Sequence, residues 1–181
     1  MVDGRMDGHY LDSVMKILFS IRNNARKSLT VIAKELGVDR RTVASIVKKM
    51  EDDNIVWGYN PIIDVTKLGY KYFTVLVRMK ATINYDRLGK VLLDSMVDGF
   101  QKLNQSFYIV DSGYTHGVYD FYVRMVARRV VDVKKFMNQL IQDNDDFVDG
   151  FDILEEIITI RRCNLVNPEL ERLVHNIIDS K

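Results

Sequence analysis

Seven basic side chains crowd one short stretch of the chain: Arg26, Lys27, Lys34, Arg40, Arg41, Lys48 and Lys49. Across residues 22–50 the only acids are Glu35 and Asp39. Such a local surplus of cations can neutralise phosphates and release their condensed counterions, so binding to a nucleic-acid backbone should weaken steeply with salt. Arginine can also bridge O6 and N7 of guanine in the major groove, worth ~1–3 kcal/mol of discrimination between bases. As a charge pattern alone, the same residues equally suit a solvated helix face with an ordinary lysine surplus.

What would position them is a set of short helices. Leu11, Val14, Leu18 and Ile21 recur at three- and four-residue spacing, one face of a helix. Leu29, Ile32, Ala33 and Leu36 predict a second, which Gly37 ends by accepting a left-handed conformation. Asp39 can cap a third helix by accepting a backbone N–H. Thr42 stands where a full capping box would place Glu or Gln. In the third helix Val43, Ile46, Val47 and Met50 point inward and leave Arg40, Arg41, Ser45, Lys48 and Lys49 outside. Ile55, Trp57 and Tyr59 then alternate as a strand does, and Pro61 ends the run. Two helices, a tight turn and a strand make a helix-turn-helix with a wing. Its second helix presents its first turns to base edges, which assigns Arg40, Arg41, Thr42 and Ser45 to bases and Lys48 and Lys49 to phosphates. Arg26 and Lys27, just before it, extend the basic patch.

The rest of the chain alternates strand and helix signals. Tyr70–Lys80, Phe107–Ser112, Val118–Val126 and Phe151–Ile160 read as strands, with Gly113–Gly117 as a bend. Leu88, Val91 and Leu92 mark one helix; Val133, Phe136, Met137, Leu140 and Ile141 mark another. The order βαββαβ is that of a ferredoxin-like sandwich, so the predicted fold class is α+β. The expected organisation is a winged helix-turn-helix over 1–64, a hinge over 65–69, a ferredoxin-like domain over 70–162 and a C-terminal helical extension over 163–181. In that extension Asn167 and Pro168 start a helix whose apolar face is Leu170, Leu173, Val174, Ile177 and Ile178. Phe73, Val75, Val77 and Met79 occupy one face of the first strand, while Tyr72 and Leu76 lie on the other; the last strand sets Ile153 and Ile157 against Leu154, Ile158 and Ile160. Two helices cover one face of such a sheet, so a partner subunit is the expected cover for the second. Burial against the first domain or the C-terminal helix is the alternative.

Composition narrows the class. The 181 residues are 47% hydrophobic and 28% charged with a net charge of +1, so nucleic-acid binding must come from a local patch. A single cysteine, Cys163, excludes an intramolecular disulfide framework. No apolar run has the length of a membrane span, and the first residues lack a signal-peptide core, so a cytoplasmic protein is expected. Enzyme signals are weak: His9, His116 and His175 are dispersed, no phosphate-cradling glycine loop is present, and Asp145–Asp146 and Glu155–Glu156 suit solvated charges. Neither a metal nor a cofactor is expected.

Three segments carry a specific resemblance. ARKSLTVIAKELGVDRRTV, then KKMEDDNIVWGYNPIID followed by LGY, then GVYDFYVRM resemble, in this order, motifs of the Lrp/AsnC (feast/famine) family of transcription regulators. The middle segment is similar to the family's I-x-G-Y-x-x-x-x-D arrangement, with one extra residue between Ile55 and Gly58 and the acid at Asp64. The third matches its G-x-Y-D signature at Gly117, Tyr119 and Asp120, with Gly113 and His116 in the same bend. Asp39 departs from the serine common before the third helix, and Asn167–Lys181 lies beyond the usual core.

The resemblance implies a regulator that binds operator DNA sequence-specifically as a homodimer or higher oligomer through the sandwich domain. It also implies an amino-acid effector. Asp120 can accept from the ammonium, and N–H groups of the glycine bend can donate to the carboxylate; a hairpin that simply requires glycines, with Asp120 bracing its neighbours, explains the same residues. Two alternatives share the architecture: a protein that compacts DNA without sequence preference, and a tetrapyrrole enzyme related to sirohaem decarboxylase. The aromatic, arginine-bearing haem segment of the latter is not found in the sequence.

Overall fold

The computed structural model describes residues 8–22, 24–80, 107–143 and 147–178. Two compact units emerge, one of Met1–Ile62 with Ile160–Lys181, the other of Ile63–Thr159.

In the first unit, α1 spans Gly8–Arg22, α2 Leu29–Leu36 and α3 Arg40–Asp52. Val14, Ile17, Ile32, Ala33, Val43 and Met50 form its buried core. Leu18, Ile21, Leu36, Ile46 and Val47 pack around them. Full burial of such a side chain stabilises by roughly 1.5–3 kcal/mol, which is what holds three short helices that would fray alone. The expected inward face of α1 needs correcting at Leu11. Tyr10, Val14, Ile17 and Ile21 turn inward, while Leu11, Met15 and Phe19, four residues apart along the helix, form a second apolar stripe that stays exposed.

The expected wing strand over Ile55–Tyr59 is also corrected: residues 55–64 form no strand. A strand requires a partner ladder, and the backbone here bonds back to the helix instead. The N–H groups of Ile55 and Val56 both donate to Met50 O, at 2.8 and 3.0 Å. The Trp57 indole donates to Asn54 O at 2.7 Å. An open groove of about 680 Å³ runs between α1 and this segment, with Met15, Phe19, Ile55 and Trp57 in its walls.

The second unit begins with a 3-10 turn, Val65–Leu68, closed by Gly69 at φ 76°. Asp64, the acid of the middle motif, caps it: one carboxylate oxygen accepts from Thr66 N at 3.1 Å and from Thr66 Oγ1 at 2.5 Å. Strands β1 (Lys71–Met79), β2 (Phe107–Tyr114), β3 (Phe121–Ala127) and β4 (Val148–Glu155) form one antiparallel sheet in the order β2-β3-β1-β4, with α4 (Val130–Asp143) between β3 and β4. This is the ferredoxin-like strand order. The helix expected around Leu88, Val91 and Leu92 lies outside the described residues.

Phe73, Val75 and Val77 of β1 and Phe121, Val123 and Met125 of β3 form the inner face, buried against Val133 and Met137 of α4. The opposite face is more polar than expected. Val65 of the 3-10 turn packs on Tyr72 and Val126 and covers one end of it from within the chain. On the edge strands of this face Tyr108, level with Val126, and Leu154, level with Thr74, are both exposed. The last strand stops at Glu155, whose partner Phe73 is near the start of β1. Ile157, Ile158 and Ile160 therefore lie past the sheet and do not extend its faces, contrary to the expected strand over Phe151–Ile160.

The C-terminal segment opens with a hairpin that the sequence did not announce. β5 (Arg161–Arg162) pairs with β6 (Leu165–Val166) across a turn at Cys163 and Asn164, both left-handed at φ 44° and 80°. Two positive φ values match the twist of a two-residue hairpin. Helix α5 (Leu170–Ile178) follows, started as expected by Asn167, whose Oδ1 accepts from Glu169 N at 2.9 Å. Val174 and Ile178 of its apolar face remain exposed.

Candidate nucleic-acid interface

The turn between α2 and α3 is fixed at both ends. The Ser28 side chain accepts from Val31 N and starts α2; Gly37 stops it at φ 66°, its N–H donating to Ala33 O. Asp39 then starts α3, its carboxylate accepting from Arg41 N at 2.6 Å. A carboxylate at a helix N-terminus also meets the positive end of the dipole. Thr42 is exposed and takes no part in this cap, so a single Asx-type bond does the work.

The structure divides the six basic residues predicted to contact DNA into two groups. Arg26, Arg40 and Arg41 are exposed, and among the described residues their guanidinium groups have no acidic partner. Thr42 and Ser45 are exposed beside them on α3. Lys27, Lys48 and Lys49 are engaged within the chain. Lys27 is half-buried and bonds to Glu35 and, at 3.2 Å, to Ser20 Oγ, clamping the α1–α2 connection. The Lys27 ammonium holds the Glu35 carboxyl below its ordinary range. Lys48 Nζ lies 3.1 and 2.9 Å from the two carboxylate oxygens of Asp52, which raises its pKa. Lys49 pairs with Asp53 at 3.4 Å and lies 5.5 Å from the centre of the Tyr10 ring.

The acids at the end of α3 were the functional neighbours missed in the sequence, because a charge count that stops at residue 50 leaves out Glu51, Asp52 and Asp53. The four-residue spacing of Lys48–Asp52 and Lys49–Asp53 was the available signal. Glu51 turns instead to the following segment, where Tyr59 Oη donates to it at 2.8 Å. Partial burial, and then this bond to an anion, raise the Tyr59 pKa.

The predicted effector residues fall at the β2–β3 connection, except Gly113, which the expected bend included but which lies in β2, and most have structural bonds. Asp120 ties the end of β1 to the loop: its Oδ2 accepts from Met79 N at 2.7 Å, its N–H donates to Val77 O at 2.9 Å, and its O accepts from Thr115 N at 2.7 Å. Tyr119 Oη donates to Asp152 at 3.0 Å, and Arg78 donates to the same oxygen at 2.8 Å. Arg78, and then Tyr119, hold Asp152 below the ordinary carboxylate range. His116 stacks edge-on against Tyr114 with ring centres 6.0 Å apart. Gly113 lies within β2, opposite Tyr122 of β3. Gly117 is exposed in the loop. Among the described residues, no group of three His, Cys, Asp or Glu side chains is placed to hold a metal, and no helix is long and apolar enough to cross a membrane.

Comparison with known proteins agrees with this geometry. A family model described as winged helix-turn-helix DNA-binding matches residues 12–56. The regulatory protein AsnC of Haemophilus influenzae is 27% identical over 140 residues, 76% of this chain and 86% of that protein. The HTH-type transcriptional regulator Ptr1 of Methanocaldococcus jannaschii is 28% identical over 128 residues, 70% of this chain and 78% of that protein. In three dimensions, the transcriptional regulator NMB0573 of Neisseria meningitidis, solved as a complex with L-Met, superposes with a TM-score of 0.63 at 12% identity, over 92% of this chain and 99% of that one. In its helix-turn-helix the chain is thus similar to AsnC-type transcriptional regulators, and in its fold to a solved regulator of that architecture.

Proposed function

We propose that this chain recognises operator DNA sequence-specifically through the N-terminal half of α3, acting as a symmetric dimer or higher oligomer. The observation that carries the reading is the contrast along α3. Arg40 and Arg41 are exposed and uncommitted at the end that meets base edges, while the lysines further along already have acidic partners. Arg26 adds a phosphate contact from the α1–α2 connection. A symmetric dimer would present two α3 helices to half-sites about one helical turn apart, ~34–36 Å, or a multiple of it.

The outer sheet face supports pairing: Tyr108 and Leu154 are exposed on its two edge strands, and Leu76 and Tyr122 are half-buried on its central strands. Control by an amino acid is the finer part of the reading, with the end of β2 from Gly113 and the 115–120 connection as its site. Its support is the L-Met complex of the Neisseria regulator, and Asp120 keeps acceptor capacity beyond its bond to Met79.

The test is binding-site selection from random DNA followed by titration with Arg40→Ala and Arg41→Ala. Each variant should weaken the selected site by about 5- to 150-fold, the range of one bidentate base contact. Equal affinity of wild type and both variants would sink the reading. A specific-to-nonspecific ratio near one in the wild type would point to a DNA-compacting protein instead.

A further inference from the structure

Helix α3 looks basic, yet with its two caps it carries no net charge. Arg40, Arg41, Lys48 and Lys49 are matched by Asp39, Glu51, Asp52 and Asp53. The anions have different tasks. Asp39 is turned to the Arg41 backbone N–H and Glu51 to the Tyr59 hydroxyl. Asp52 and Asp53 face the lysines one turn before them, at 2.9 and 3.4 Å.

Helix stability gives little reason for that pair of acids. Carboxylates at a helix C-terminus oppose the dipole. The order lysine-then-acid at i, i+4 is the less favourable orientation, and exposed pairs of this kind contribute little. Their effect on a polyanion is larger. Each carboxylate lies within a Debye length of ~8 Å from a phosphate that its paired lysine contacts. Each lysine would bring an anion to the phosphate with it.

We propose that Asp52 and Asp53 are specificity-determining residues: they cancel the phosphate attraction of Lys48 and Lys49, so that α3 gains little from an arbitrary duplex and depends on the base contacts of Arg40 and Arg41. The proposal rests on the DNA-binding reading above. It assigns the sequence preference of this chain partly to a suppressed background rather than wholly to stronger specific contacts.

The test titrates the full chain against a random duplex and against the selected operator, at salt concentrations between about 50 and 200 mM. The Asp52→Asn/Asp53→Asn variant keeps side-chain shape and removes both charges. It should bind the random duplex about tenfold more tightly at low salt, and its affinity should fall more steeply with salt by about 0.9 for each lysine freed. The operator should gain less, so the ratio of the two affinities falls. Asp52→Asn alone should give half the change in slope, and adding Lys48→Ala and Lys49→Ala to the double variant should restore the wild-type slope. Circular dichroism checks that helical content is unchanged. If wild type binds DNA and the Asn variants show the same affinity and slope, the proposal is overturned; an equal gain on both duplexes overturns its specificity element. If wild type binds neither duplex, the DNA-binding reading falls first, and the inference with it.

Discussion

Tyr122 lies across the strand from Gly113 so closely that a Cβ on Gly113 would sit 2.7 Å from the ring carbon Cε1. The two residues are cross-strand partners in β2 and β3, just past the point where the β2 register shifts between Ile109 and Asp111. The ring takes the space that the missing side chain leaves open. Gly113→Ala should therefore destabilise the sheet by about 1–3 kcal/mol, the usual cost of overpacking. Combined with Tyr122→Ala, the same substitution should add almost nothing. A urea-denaturation cycle on the four proteins measures the coupling, and an additive result would remove the packing role of Gly113.

At the start of α3, Asp39→Ala should lose the cap and cost about 0.5–2 kcal/mol. Asp39→Ser keeps a capping oxygen and should cost little, while removing an anion beside Arg40 and Arg41. Thermal melts read the first effect and DNA titration the second. Tighter DNA binding by Asp39→Ser at near-wild-type stability is the expected pair of results.

The Lys27–Glu35 clamp predicts an acid limb. Glu35 titrates lower in the folded chain than its ordinary value of 4.5, through its bond to Lys27. A depressed carboxyl means that the unfolded chain binds the proton more readily, so the stabilisation is present above the ordinary carboxylate pKa and is lost as pH falls through the folded value. Wild type should exceed Glu35→Gln in urea midpoint at neutral pH, and the difference should shrink below about pH 4.5. A constant difference down to pH 3 would contradict the clamp.

Met50 is fully buried at the centre of the first core, between Val43 and the helices before it. Met50→Ala should cost about 2–5 kcal/mol, a large share of the stability of a small helical unit. Because Met50 O also accepts from Ile55 and Val56, loss of packing there should loosen the segment after α3, which hydrogen exchange at those two amides would detect.

Much of this was legible from residue spacing. Gly37 and Asp39 mark helix ends with backbone or side-chain chemistry that acts locally, so sequence is enough to place them. The alternation of Phe73, Val75 and Val77 announces an inner sheet face for the same reason. Leu11 is exposed because α1 carries apolar residues on two adjoining stripes, and periodicity cannot choose between them without the helices they meet. Ile55–Tyr59 alternates like a strand, but a strand is a relation between two segments. The hairpin at Cys163 and Asn164 leaves no sequence signal because it adopts left-handed turns without glycine. Lys27 reads as a DNA-facing cation until the fold brings Glu35, eight residues on, against it. The uncommitted state of Arg40 and Arg41 is likewise a property of the folded neighbourhood.

Trp57 is the only tryptophan of the chain, and it stands 92% exposed with its indole tethered to Asn54. That gives the molecule an intrinsic optical reporter at the edge of an open groove. Its emission should sit at the red end, as for an indole in water, and be readily quenched by iodide. Any event that closes the groove, whether a second subunit or a bound duplex, would register as a blue shift and loss of quenching without a label attached anywhere.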